Sequence, residues 1–124
     1  GAMAIGLSKL GYKVAIIEAN KPKAFNNAEL PDLRVSALNR FTLRLLQSYN
    51  VWDKVLAMRC QQYHRLSVWE NSARALNFEA SQIGESYLGY FVENRILQLA
   101  LLDTIEQEHA DNIHLVYGRA VDIN

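Results

Sequence analysis

The stretch GAMAIGLSKLGYKVAIIE, residues 1–18, decides the fold. In its first half, Ala2, Ile5, Leu7 and Leu10 repeat along one small-residue face, which predicts a helix over residues 1–10. Gly1-Ala2-Met3 could be a cloning scar, but these residues continue that face without a break and are read as native. Gly11 then supplies the left-handed residue that ends many helices. Lys13 to Glu18 follows at once as a short apolar run rich in β-branched residues, the pattern of a parallel strand buried on both faces. A helix fed through one glycine into such a strand is the second half of a βαβ unit. No capping residue or capping box precedes the helix, so the first strand and its turn are expected upstream of residue 1. Without them the strand at 13–18 lacks a neighbour.

Glu18 closes the strand. A carboxylate at that position can accept hydrogen bonds from both ribose hydroxyls of an adenine dinucleotide, its two oxygens matching a vicinal diol. The ordinary alternative is a solvated strand-end glutamate. A Gly-x-Gly-x-x-Gly phosphate loop would decide between them, and none lies within the chain.

Outward from this stretch, residues 19–33 read as a polar loop with Pro22 and Pro31. Arg34-Val35-Ser36 is a short extended segment, with Ser36 expected to cap a helix that turns Leu38, Phe41, Leu45 and Leu46 inward. That helix ends near Asn50, which tolerates the left-handed conformation. A second short helix covers 51–58. Tyr63–Trp69 and Ala73–Ala80 alternate as a β-hairpin turning at Asn71-Ser72, with Leu66, Val68, Leu76 and Phe78 on a buried face. Residues 89–93 are extended, Asn94 opens a long helix, Ile113–Tyr117 is a second buried-type strand, and Val121 begins a further extended stretch. The fold class is α/β, with the strands at 13–18 and 113–117 in one parallel sheet and the hairpin in another.

Three further positions can carry chemistry. Arg34, just before the Ser36 helix start, suits a pyrophosphate or a flavin edge, although from spacing alone a surface pair with Asp32 or Glu29 is the better reading. Asn94 can reach a ribityl hydroxyl or serve only as a helix cap; Arg95 and Gln98 beside it read as solvated. His64, Arg65 and Trp69 stand on the hairpin, while His109 and His114 read as surface residues. No catalytic residue stands out, Cys60 has no activating partner, and no metal-ligand spacing occurs.

Composition narrows the class. Thirteen basic residues balance thirteen acidic ones in 124 residues, so nothing electrostatic points to nucleic acid. Half the residues are hydrophobic, enough for a globular core. No apolar run approaches the ~18 residues that cross a bilayer, no signal-peptide pattern opens the chain, and a single cysteine suits a reducing compartment. A cytoplasmic location is expected.

The segments 1–18, DLRVSALNRFTLRLLQSYNVWDKVLAMRC (32–60) and LGYFVENRILQLALL (88–102), in that order and spacing, resemble the FAD-dependent aromatic hydroxylases of ubiquinone biosynthesis. Within that set they look most like the members acting on a prenylated methoxybenzoquinol. The resemblance covers nearly the whole chain. It implies a p-hydroxybenzoate-hydroxylase-like fold, in which a Rossmann-like FAD-binding domain interleaves with a substrate-domain sheet. Residues 1–124 are then an incomplete FAD-binding domain, with 61–93, including the hairpin, belonging to the substrate-domain sheet. It also implies NAD(P)H as reductant of FAD, O₂ as co-substrate, a prenylated aromatic substrate and peripheral contact with the inner membrane.

By position, Glu18 looks like the ribose-binding acid and Arg34 like the arginine beside flavin and pyrophosphate. Asn94 falls at a polar cofactor contact and Val121 near the adenine. Relatives carry a phosphate loop, a later Gly-Asp motif and a C-terminal half that lie outside this sequence, so the chain by itself is expected to be inactive. A missing central strand would leave backbone groups unpaired at about 1–3 kcal/mol each, so self-association is expected. The alternatives are a non-catalytic self-associating module, or a flavin monooxygenase with a different aromatic substrate.

Overall fold

The computed structural model describes residues 1–71 and 74–118. Val121, Ser72 and Ala73 lie outside the described residues, and with them the predicted strand at 121 and the tip of the hairpin turn.

Helix α1 (Ala2–Lys9) ends as its sequence predicts, with Gly11 at φ 91°. Strand β1 (Val14–Glu18) follows and pairs in parallel with β7 (Ile113–Tyr117), Val14 opposite Ile113 and Glu18 opposite Tyr117. Burial along β1 alternates, which corrects the expectation of a strand covered on both faces. Val14, Ile16 and Glu18 face the helices, whereas Ala15 and Ile17 are exposed among the described residues. The parallel pairing of the two strands is the one expected from their sequences.

A three-stranded antiparallel sheet holds the middle of the chain in the order β2 (Val35–Asn39), β6 (Gly89–Glu93), β3 (Gln61–Tyr63). Here the structure overturns the helix start expected at Ser36. Pairing of Val35–Asn39 with Glu93–Gly89 holds the chain extended for three more residues. The cap of α2 (Arg40–Ser48) is Asn39, whose side-chain oxygen accepts from the Thr42 amide at 2.9 Å. Moving the helix start rotates its buried face: Leu43 and Leu46 point inward, and Phe41 is 76% exposed. Asn50 ends this region at φ 60°, as predicted. It leads into α3 (Trp52–Met58).

Strands β4 (Arg65–Asn71) and β5 (Arg74–Glu79) form the hairpin as a separate two-stranded sheet. Tyr63 belongs to β3 instead, opposite Gly89. The apolar face of Leu66, Val68, Leu76 and Phe78 is exposed, contrary to the buried face expected from alternation. Two strands alone give that face nothing to pack on.

Helix α4 (Asn94–Glu108) is the hub of the core. Its Ile96, Ala100 and Ile105 are buried together with Ile5 of α1, Val51, Val55 of α3 and Val92 of β6. Asn94 is the first residue of this helix rather than its cap, and Glu93 before it makes no side-chain cap. His109, read from sequence as a surface residue, is half-buried against Ser8, with Nδ1 2.9 Å from the serine hydroxyl. The bond ties the end of α4 to α1.

Candidate functional site

A cavity of about 290 Å³ opens where the C-terminal end of β1 meets the start of α4, lined among others by Ile16, Glu18, Ser36, Asn94, Leu97 and Leu101. Helix α1 reaches it through Gly1. A Cβ on Gly1 would stand 3.0 Å from the Leu101 side chain, so the absence of a side chain there keeps helix and cavity wall in contact.

The polar groups occupy one rim. The Glu18 carbonyl accepts from the Gly118 amide at 3.0 Å, while its carboxylate lines the cavity with no partner among the described residues. Across from it, the Ser36 hydroxyl donates to Asn94 Oδ1, and the Asn94 amide donates to the Arg34 carbonyl at 2.9 Å. The Glu18 carboxylate facing an amide and a hydroxyl, over a floor of Ile16, Leu97 and Leu101, offers acceptors for a diol beside an apolar surface for a flat ring. Ligand sites commonly run from about 300 to 1,000 Å³, so this cavity has room for a nucleoside rather than a dinucleotide.

Of the residues singled out from sequence, the fold thus brings Glu18 and Asn94 to one cavity. Arg34 sits beside them through its backbone, but its exposed guanidinium does not line the cavity. The surface pairs considered for it are not formed: Asp32 accepts from the Arg34 backbone amide at 3.2 Å, and Glu29 pairs with Lys23 and Arg95. Val121 lies outside the described residues. Arg95, expected in solvent, is half-buried.

Sequence reasoning missed two features here. One is Tyr117, beside Glu18 across the sheet, whose hydroxyl is buried without a hydrogen-bond partner among the described residues. Burial, then the nearby Glu106 and Glu18 carboxylates, push its pKa up.

The other is an ionic strap behind the rim. Glu93 is 4% exposed. Its Oε2 accepts from Arg59 Nε at 2.7 Å, and its Oε1 from Arg59 at 3.2 Å and from the Asp32 amide at 2.7 Å. Arg59 in turn donates to the Glu29 carbonyl at 3.0 Å. A buried carboxylate costs several kcal/mol unless paired, and three charge-assisted or backbone bonds meet that need. No local pattern reveals the pairing, because its partners stand 34 positions apart.

Hydrogen bonding from Arg59, aided by the Asp32 amide, holds the Glu93 carboxyl below the usual carboxylate range, against the opposing effect of burial. The Glu29 carboxyl is lowered too, chiefly by Lys23 and then Arg95. A depressed folded-state pKa gives stability that is present above the unfolded value and lost as pH falls through the folded one. Acid titration of unfolding should therefore show stability falling below the ordinary glutamate range. The fall should be shallower in Glu93→Gln, and equal slopes in the two proteins would contradict the assignment.

Among the described residues, no group of three His, Cys, Asp or Glu could hold a metal ion, and no helix is long and apolar enough to cross a membrane.

The chain matches no family model. It is 42% identical over 106 residues to the 3-demethoxyubiquinol 3-hydroxylase of Escherichia coli strain K12, covering 86% of this chain and 27% of that protein. It is 32% identical to the mitochondrial ubiquinone biosynthesis monooxygenase COQ6 of Mus musculus, over 85% of this chain and 22% of that protein. To the ubiquinone hydroxylase UbiL of Rhodospirillum rubrum it is 30% identical, over 82% of this chain and 23% of that one. The chain therefore spans about a quarter of the length of the curated relatives it matches.

Proposed function

We propose, for a chain homologous over most of its own length to hydroxylases and monooxygenases of ubiquinone biosynthesis, that it forms the adenosine-binding part of an FAD-dependent aromatic monooxygenase. The observation that carries this reading is the meeting of Glu18, Ser36 and Asn94 around one cavity at the end of β1. The donor set fits the adenosine end of FAD: Glu18 would accept from the ribose hydroxyls, and the apolar floor would take a flat base. Arg34, adjacent through its carbonyl, would face the flavin or the pyrophosphate.

Bound FAD would supply the redox chemistry, taking reducing equivalents from NAD(P)H and activating O₂ to hydroxylate an electron-rich prenylated ring. The residues of this chain would bind and orient. Glu18 would fix the ribose as a charged acceptor, the Ser36–Asn94 pair would set the opposite wall, and Ile16, Leu97 and Leu101 would keep water from the base. The sheet of β2, β6 and β3, with the β4–β5 hairpin, would extend toward the substrate domain, assigning 61–93 to it. The exposed apolar hairpin face supports that assignment, since a face of this kind needs a further layer.

A segment exchange tests the reading. The matching quarter of the Escherichia coli relative would be replaced by this chain, and the purified chimera examined for flavin absorbance and for rescue of ubiquinone synthesis in a strain lacking the native protein. Bound FAD and rescue are expected. A folded chimera without flavin would defeat the proposal.

A further inference from the structure

Glu93 directly precedes Asn94 of the cavity rim, lies almost fully buried, and has no part in the binding roles above. It joins three pieces of chain: the end of α3 through Arg59, the 29–32 segment through the Asp32 amide, and the β6–α4 junction on which it stands. Arg59 extends the joint to the Glu29 carbonyl, and the Glu29 carboxylate accepts from Arg95 of α4 at 3.3 Å. The next residue after Glu93 is Asn94, whose amide holds the Arg34 carbonyl and whose Oδ1 takes the Ser36 hydroxyl. The polar wall of the cavity is thus one residue from the joint. The segment that joint fastens, residues 19–34, has no helix or strand of its own; Phe25 anchors its middle against the core, and the joint fastens its later part.

We propose that Glu93 is a positioning residue, its fork-to-carboxylate pair with Arg59 setting where Asn94 stands against the cavity and how the 29–34 segment meets it. This rests on the reading of that cavity as a nucleotide site, but only in its second half. A bidentate arginine pair fixes direction as well as distance, whereas a lysine supplies a point charge without the fork. Arg59→Lys should therefore keep the charge and loosen the geometry, and Glu93→Gln should remove the charge and set an amide N–H₂ against the guanidinium.

The test has two arms on the chain as it stands. In the first, amide hydrogen exchange and ¹⁵N spectra are compared for the wild type, Glu93→Gln and Arg59→Lys. Exchange at the Asp32 and Asn94 amides should quicken by about tenfold, and the Asn94 side-chain signals should move. Amides in the middle of α4, around Ala100 and Ile105, should exchange as before, since local opening need not involve the core. Unchanged exchange at Asp32 and Asn94 would overturn the proposal. So would uniform loss of protection, or failure of both variants to fold, because the pair would then hold the fold and not the wall.

In the second arm, adenosine diphosphate is titrated into the same proteins. A wild type that binds, with both variants about tenfold weaker, is expected; variants matching the wild type would overturn the link to binding. A wild type that ignores the nucleotide would instead sink the reading of the cavity, while the exchange data still decide whether Glu93 holds its wall.

Discussion

Gly89→Ala should lower the stability of the chain by about 3 kcal/mol, the upper range for forcing extra atoms into a packed site, or prevent folding altogether. Gly89 lies between two strands, opposite Asn39 on one side and Tyr63 on the other. A Cβ there would overlap the Leu38 carbonyl oxygen and stand 2.8 Å from the Tyr63 hydroxyl. Tyr63 could swing away; the backbone of β2 could not move without breaking its pairing. Relief by separating β2 from β6 would also shift Leu38 and Val92, which are buried in the core. Urea unfolding of the wild type and variant measures the effect, and a difference under about 1 kcal/mol would show that the strands are not so closely set.

Glu18→Ala should weaken adenosine diphosphate binding by about tenfold to a hundredfold. A hydrogen bond to a charged group is worth about 1.5–3 kcal/mol, and each 1.4 kcal/mol is about a factor of ten. Because the loss is assigned to ribose hydroxyls, a second ligand separates it from general damage. The wild type should prefer the nucleotide to its 2′-deoxy analogue, and the variant should bind the two alike. A chemical-shift titration with both ligands closes the cycle. If Glu18→Ala kept the wild-type preference for the 2′-hydroxyl, another group would be the acceptor and the reading of the cavity would fail.

Much of this architecture is written in short-range chemistry. Gly11 and Asn50 adopt positive φ because a helix end demands it, and such demands show in one or two residues. The β-branched run before Glu18 likewise marks a strand, and its partner β7 carries the same mark. The middle of the chain was harder to read. Leu38 falls at helical spacing with Phe41 and Leu45, yet it lies in a strand, since pairing with β6 outweighs local periodicity. The hairpin misled in the opposite sense: alternation gave its two-stranded pairing, though not the place of Tyr63 in β3, nor whether anything covers the apolar face.

The site divides along the same line. Glu18 and Asn94 were legible because each stands at a junction between element types, where binding groups often gather. Arg59 and Glu93 were not. Neither position announces burial, and a salt pair formed by distant segments leaves no periodic trace. A glutamate immediately before Asn94, at the end of an apolar strand, was the one available hint.

The pairing of β1 with β7 joins segments roughly a hundred positions apart along the chain. Closing so long a loop is entropically slow, and it brings little reward before α4 has docked. During synthesis, the carboxylate of Glu18 leaves the ribosome long before Tyr117 exists to stand beside it. The placing of Glu18 beside Tyr117 is therefore a late event in the folding of this segment, completed only once the long stretch between the two strands has been made.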